Sequence, residues 1–526
     1  MDHLMPSTDA NLCQALDALC ERYGQRTLLQ LPDLGDVALS YRQFRLAVLN
    51  AATALAGRGL AANQRALICL DVEVHALVLL FACLRLGATA VLLGNRLGEE
   101  EVGYIVHDVA PRMIITSLDH VDLFGTPSMG APEVLLVAGA DEEVGARPRL
   151  PGLDELLAPA LASSPVEPVA GSQAAVILYT SGTTSRPKGV VISHAHMAWA
   201  ARSNVEQLRL TEHDVTQVFF PLCHTMALSY QVLTSIFAGA ALVLRRVFNP
   251  QRFWDDAARY HCTWAAILPF VCHALAALDV PKVHSFRFWG FPSRNTDVEA
   301  MFGVRTVGWW GMTELFTIGA LNREEQGADL NYSVGRVVAG YDHRLGNTIA
   351  EAGPFQARRS GDLQLRGEPG LNLFSGYLNQ PEQTQDAFTE DGWFVTGDRF
   401  FEADSGTLFF DVRLKDIIKV GGENVSAAEI EFAAYASAVI GEVAVVSRPD
   451  PLLTEIPVLF AVLNDTGLGD PEQAKARIIE ACRQRLADFK RPRQIIFLAD
   501  MPRAGLRKVA KDRLRQLALH NISEPA

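Results

Sequence analysis

The eight cysteines, at positions 13, 20, 69, 83, 223, 262, 272 and 482, are scattered, and no Cys-x-x-Cys pair occurs. This spacing argues against a thiolate metal cluster or a disulfide framework. It predicts reduced, mostly buried thiols in a cytoplasmic protein. Long apolar runs are lacking too: Ala76 to Leu84 ends at Arg85, far short of the ~20 residues a membrane span needs. Residues 1–10 do not show the basic-then-apolar order of a secretory signal. Positive charge is in deficit, with 47 Lys and Arg against 60 Asp and Glu, a net charge of −13. That balance argues against nucleic acid or an anionic membrane as a general partner, while leaving room for a local basic site. Internal repeats and low-complexity tracts are missing. What is present is a 526-residue chain, 49% hydrophobic and 20% charged, a globular composition long enough for about three domains.

The hydrophobic pattern predicts an α/β fold. Strand candidates at Ala66–Leu70 and Ala88–Leu93 flank a buried helix candidate at His75–Leu86. This βαβ rhythm implies doubly wound, mostly parallel sheets. Pro148–Ser172 reads as a surface connection. From about residue 360, short strands separated by Gly/Asp turns (361–366, 394–396, 408–412) predict a small β-barrel-like region. Beyond 413 a compact α+β pattern follows. Ser426 and Glu429 have capping-box spacing before a helix, strands are expected at 442–446, 457–463 and 494–498, and a helix at 471–486. The expected organisation is a large N-terminal domain, 1–412, and a small mobile C-terminal domain, 413–526.

The segment Tyr179-Thr-Ser-Gly-Thr-Thr-Ser-Arg-Pro-Lys-Gly189 lies between an apolar run and the β-branched run Val190–Ile192. Its hydroxyls (Thr180, Ser181, Thr183, Thr184, Ser185), Gly182 and Lys188 form a polar loop suited to gripping a polyphosphate. Hydroxyl and backbone N–H groups donate to phosphate oxygens, glycine permits close approach and lysine adds charge. A plain polar hairpin loop is the alternative. Pro187 precedes Lys188 and a strand follows, so the segment is not the Gly-x-x-x-x-Gly-Lys-Ser/Thr cradle that opens a helix.

Four further motifs follow in order: Trp310-Gly311-Met312-Thr313-Glu314; Asp391-Gly-Trp-Phe-Val-Thr-Gly-Asp398; Arg413-Leu-Lys415-Asp-Ile-Ile-Lys-Val-Gly421-Gly422-Glu-Asn424; and Pro502-Arg-Ala-Gly-Leu-Arg-Lys508. Together with the loop they resemble the adenylate-forming enzymes: acyl-CoA synthetases, adenylation domains of peptide synthetases, and luciferase. The resemblance spans nearly the whole chain and leans toward aryl- and acyl-CoA ligases of the coumarate-ligase type. It implies that ATP and a small-molecule carboxylic acid give an acyl-adenylate and pyrophosphate. The acyl group then passes to a thiol, that of coenzyme A or of the phosphopantetheine on an acyl carrier protein.

The resemblance also implies roles. Lys508 would stabilise the junction of carboxylate and α-phosphate, Thr313 would donate to that phosphate, and Glu314 would help hold Mg²⁺. A helix start at Thr313 is the competing explanation for the last pair. Thr180–Thr184 and Lys188 would hold the leaving phosphates. Trp310 stands where tyrosine is usual and would stack on adenine, flanked by Gly311 and Met312. Asp398 and Arg413 would reach the ribose. Lys415 falls at the hinge position and Gly421–Gly422 at the thiol tunnel. His224 and Met226, in Pro221-Leu-Cys-His-Thr-Met226, would border the acyl pocket, and no aspartate suited to an α-amino group stands there. Gly311 would keep that pocket open for an aryl or medium acyl group, whereas acetyl-CoA synthetases carry tryptophan at that place.

Four departures bear on these expectations: Ser185 for a loop glycine, Arg507 for the glycine before the catalytic lysine, Val412 for the glycine before Arg413, and Trp289-Gly290-Phe291-Pro-Ser293 for a Gly-Gly-Ala-Pro segment. Trp289 or Phe291 would then reshape the acyl wall. Three functions remain open: acyl- or aryl-CoA synthetase, adenylation enzyme serving a carrier protein, and inactive acyl- or nucleotide-binding protein.

Overall fold

The computed structural model describes residues 11–71, 74–94, 97, 99–124, 132–137, 149–158, 169–180, 187–322, 331–349, 357–413, 417–420, 423–451, 453–464, 467, 469–486, 488–504 and 508–520. The chain forms two compact units, one of residues 1–342 and 365–394, the other of 343–364 and 395–526.

The first unit is built on two large sheets. In one, Arg65–Cys69 and Thr89–Leu92 pair in parallel, joined by the helix Val74–Arg85. Every residue of that helix with a described exposure, His75 apart, is buried, as expected for a crossover covered on both sides. The sheet has eight strands. At one edge the order runs Gly376–Tyr377, Lys188–Ser193, Ala174–Thr180, Thr89–Leu92. The second sheet has nine strands. Val215–Val218, Trp264–Ala266, Phe288–Phe291 and Thr306–Gly311 are successive neighbours in it, all parallel.

Helix His194–Leu208 starts immediately after strand Lys188–Ser193. Ser193 is its N-cap, with the hydroxyl accepting from the His196 N–H at 3.0 Å. Capping satisfies an otherwise orphaned donor and fixes the turn from strand to helix. The segment Met226–Leu233 is a π-helix, a form that concentrates at functional sites.

The second unit holds a four-stranded sheet of Asp342–Ile349, Ala357–Arg366, Phe394–Ala403 and Leu408–Arg413. Beside it in the chain comes a five-stranded sheet packed with helices Ala427–Tyr435, Pro471–Arg485 and Lys511–His520. Ile430, Val445, Leu459 and Ile478 fill one side of this second sheet; Val446, Phe460, Leu514 and Ala518 fill the other. The expected strands and helices are present, with ends shifted by up to several residues, most at Phe394–Ala403, which runs well past the expected 394–396. All eight cysteines are free thiols, seven of them buried. Among the described residues no helix is long and apolar enough to cross a membrane.

Candidate active site

The polar loop closes a hairpin. Thr180 pairs with Lys188 and Tyr179 with Gly189 across antiparallel strands, so the second strand begins at Lys188 rather than at Val190. Ser181, Gly182, Thr183 and Thr184 lie outside the described residues. Gly189 is closely packed: a Cβ there would stand 3.1 Å from both Ile177 and Tyr179 and 3.2 Å from Leu378, so those side chains would have to give way.

Lys188 extends its ammonium over the ring of Tyr377, 4.7 Å from the centroid. The hydroxyl of Tyr377 donates to Glu314 Oε1 at 2.8 Å. One side chain thereby joins the loop lysine to the candidate metal carboxylate. The backbone reinforces this. Tyr377 pairs with Val190, Leu378 N–H donates to the Gly189 carbonyl, and Phe374 N–H donates to the Glu314 carbonyl, the last two at 2.8 Å. Tyr377 carried no signal in the sequence reading, because its partners lie 63 and more than 180 residues away in the chain.

Trp310 and Gly311 end strand Thr306–Gly311, and Thr313 to Leu315 form a turn. A helix does not start there, which removes the competing explanation for Thr313 and Glu314. Phe316, two residues after Glu314, is left-handed at φ 49°. For an aromatic residue that conformation costs about 1–3 kcal/mol and persists only where the surroundings over-determine it. They do so here. Leu315 O accepts from His196 Nε2 at 2.7 Å, Phe316 O from the Ser229 hydroxyl, and Thr317 O from the Tyr230 hydroxyl at 2.9 Å. Asn204 Oδ1 accepts from the Thr317 hydroxyl at 2.6 Å and from Ile318 N–H at 3.2 Å. His196 and Asn204 come from the helix after the loop strand, Ser229 and Tyr230 from the π-helix. Burial lowers the His196 pKa to about 4, against the raising effect of its bond to Leu315. The imidazole is therefore neutral at pH 7 and donates through Nε2.

Glu314 is only 7% exposed. Among the described residues no group of three or more His, Cys, Asp or Glu side chains is arranged to hold a metal ion. A hard cation bound by one carboxylate plus substrate phosphates fits this donor set, since Mg²⁺ is commonly held by one or two carboxylates and phosphate oxygens.

His224 and Met226 lie at the start of the helical segment that becomes the π-helix; the His224 carbonyl accepts from Ala227 and Leu228. Gly311 packs closely against Tyr230. A Cβ there would stand 2.1 Å from the Tyr230 hydroxyl. Gly290 has the same character: its Cβ would meet the Trp309 ring at 1.8 Å. The Trp309 and Tyr230 rings pack edge to face with centroids 5.6 Å apart. Trp289, 0% exposed, lies within an aromatic core of Phe253, Trp254, Phe286 and Phe302. Phe291 is also buried.

In the second unit, Asp398 and Arg413 are paired directly across antiparallel strands. Asp398 is 3% exposed and follows Gly397 at φ 74°. Lys508 begins a two-residue strand with Val509 that pairs with Arg503–Ala504. Lys415, Gly421 and Gly422 lie outside the described residues, as does Arg507.

Comparison with known proteins gives a consistent result. The AMP-binding enzyme family matches residues 16–378, and the AMP-binding enzyme C-terminal domain matches 429–508. A crotonobetaine/carnitine–CoA ligase of Salmonella heidelberg (strain SL476) is 28% identical over 524 residues, covering 96% of this chain and 99% of that protein. The ATP-bound RpMatB-BxBclM chimera B1 superposes with a TM-score of 0.84 at 25% identity, over 98% of this chain and 100% of the other. The anthranilate CoA ligase AuaEII in complex with anthranoyl-AMP shares the fold, with a TM-score of 0.85 at 23% identity and 98% of each chain covered.

Proposed function

This chain belongs to the AMP-binding enzyme family as an AMP-forming, acyl-CoA synthetase-like ligase, and on that premise we propose that it activates an aryl or medium acyl carboxylic acid with ATP and transfers the acyl group to coenzyme A. The observation that carries the proposal is the Lys188–Tyr377–Glu314 arrangement, which places a phosphate-seeking cation and a metal-seeking carboxylate on one scaffold.

In the first step a carboxylate oxygen attacks the α-phosphorus and pyrophosphate leaves. Both reactants are anions, so positive charge at their junction lowers the barrier. We assign that charge to Lys508 and the hydrogen bond to the α-phosphate to Thr313. The loop from Thr180 to Lys188 holds the departing phosphates. Asp398 and Arg413 hold the ribose, and Trp310, Gly311 and Met312 the adenine. When bound through Glu314 and phosphate oxygens, Mg²⁺ would neutralise charge on the leaving group. In the second step the thiol sulfur attacks the acyl carbon, the thiol proton is lost and AMP departs. The functional division into 1–412 and 413–526, hinged at Lys415, and the thiol path along Gly421–Gly422 belong to this proposal. So does an acyl pocket bordered by His224, Met226, Gly290 and Gly311, with the contributions of Trp289 and Phe291 made from within the core behind it.

Coenzyme A is favoured over a carrier protein because the curated relative is named for CoA. The test is pyrophosphate exchange across aryl, short and medium acids, followed by addition of coenzyme A or a holo-carrier protein. Acid-dependent exchange and a CoA thioester are expected. No exchange with any of the acids would favour an inactive binding protein; a thioester formed only on the carrier would replace coenzyme A as acceptor.

A further inference from the structure

Tyr377 touches both charged groups of the loop side of the site through different parts of one side chain. Its ring face carries the Lys188 ammonium at 4.7 Å and its hydroxyl donates to Glu314 Oε1 at 2.8 Å. A cation over a ring face is attracted by the ring quadrupole. A phenol donating to a carboxylate oxygen fixes the rotation of the carboxylate plane. The side chain is itself fixed. Its ring packs on Phe374 with centroids 4.8 Å apart, and its backbone N–H donates to Thr384 Oγ1 at 2.9 Å.

We propose that Tyr377 is a positioning residue that sets the carboxylate of Glu314 to hold a divalent cation and holds Lys188 beside it to meet phosphate oxygens. This rests on the ATP-dependent function proposed above. Outer-shell partners of this kind orient a ligand that would otherwise rotate among several hydrogen-bonding arrangements, and losing one weakens metal binding. Tyr377→Phe keeps the ring under Lys188 and removes only the bond to Glu314. Tyr377→Leu removes both.

The test titrates Mg²⁺ at fixed ATP, without acid, and reads the thermal stabilisation of the full chain. In Tyr377→Phe the half-saturating Mg²⁺ concentration should rise on the order of 10-fold, while stabilisation by ATP without metal stays within about twofold. Tyr377→Leu should weaken both. A purely structural role would lower the unliganded melting point and leave the Mg²⁺ midpoint in place, and that result overturns the proposal. Glu314→Gln supplies the independent check. If Tyr377 acts through the carboxylate, adding Tyr377→Phe to that variant should produce no further change in the Mg²⁺ midpoint; an additive change overturns the proposal. If the acid panel fails while these shifts appear, acid activation is wrong and the role of Tyr377 stands. If Mg²⁺ and ATP together do not stabilise the unsubstituted protein, both proposals fall.

Discussion

Glu314 and Asp398 are both nearly buried carboxylates, at 7% and 3% exposure, yet they are held in different ways. Asp398 sits in an antiparallel ladder opposite Arg413, one residue from a register shift between Arg399 and Phe400, so pairing between adjacent strands defines its place. Glu314 sits on a turn that includes a left-handed aromatic residue, and the turn carbonyls are captured by His196, Ser229 and Tyr230. A ladder is specified by nearby sequence. A turn of this kind depends on residues more than 80 positions away in the chain. The two carboxylates should consequently respond to different substitutions.

Removing the charge proposed to act at the reaction centre separates chemistry from either scaffold. Lys508→Ala should reduce pyrophosphate exchange on the order of 100- to 1000-fold, the scale seen when a preorganised electrostatic group is deleted. Melting should be unchanged, and exchange at the original rate would remove Lys508 from the mechanism. Asp398→Asn should weaken ATP binding on the order of tenfold, as expected for loss of a charged hydrogen-bond acceptor, while leaving the Mg²⁺ midpoint alone; calorimetric titration with ATP measures it. Asn204→Ala probes the other carboxylate. It leaves the Thr317 hydroxyl and Ile318 N–H without their acceptor, at a cost of about 1–3 kcal/mol in urea unfolding. Asn204 also donates to the Ser229 hydroxyl at 3.4 Å, so its loss loosens the turn and its support from the π-helix together; the Mg²⁺ midpoint should shift and the ATP affinity without metal should not. A shift of both would mean the two sites are coupled.

A further prediction concerns pH. Burial lowers the pKa of both His194 and His196 to about 4, from an ordinary 6.5. Between those values the unfolded chain takes up protons that the folded chain refuses. Stability is therefore full above pH 6.5 and falls as pH drops toward 4, by at most about 1.4 kcal/mol per pH unit for each imidazole. Urea unfolding across this range should show the slope, and His196→Gln should flatten it.

The mixed α/β organisation and the two strands that flank the loop, Ala174–Thr180 and Lys188–Ser193, were legible in the sequence, because each depends on residues close together in the chain. Tyr377, Asn204, Ser229 and His196 stayed hidden, because their importance lies in contacts across 25 to 189 positions. Trp289 shows the same limit in another form. A strand alternates its faces, but the sequence does not say which face meets the core. The structure places Trp289 in that core and gives the space beside Gly290 to Trp309. Gly311 likewise lies against Tyr230 of the π-helix, a neighbour that no helical or strand period announces.

The Gly376–Tyr377 strand has one more consequence. It is only two residues long and terminates the eight-stranded sheet beside Lys188–Ser193. Without it, Val190, Val191 and Ile192 would form the rim, a β-branched edge with unpaired backbone donors and acceptors open to a second chain. The stub that joins Lys188 to Glu314 thus also shields the sheet from self-association, and variants that detach it should lose solubility as well as metal affinity.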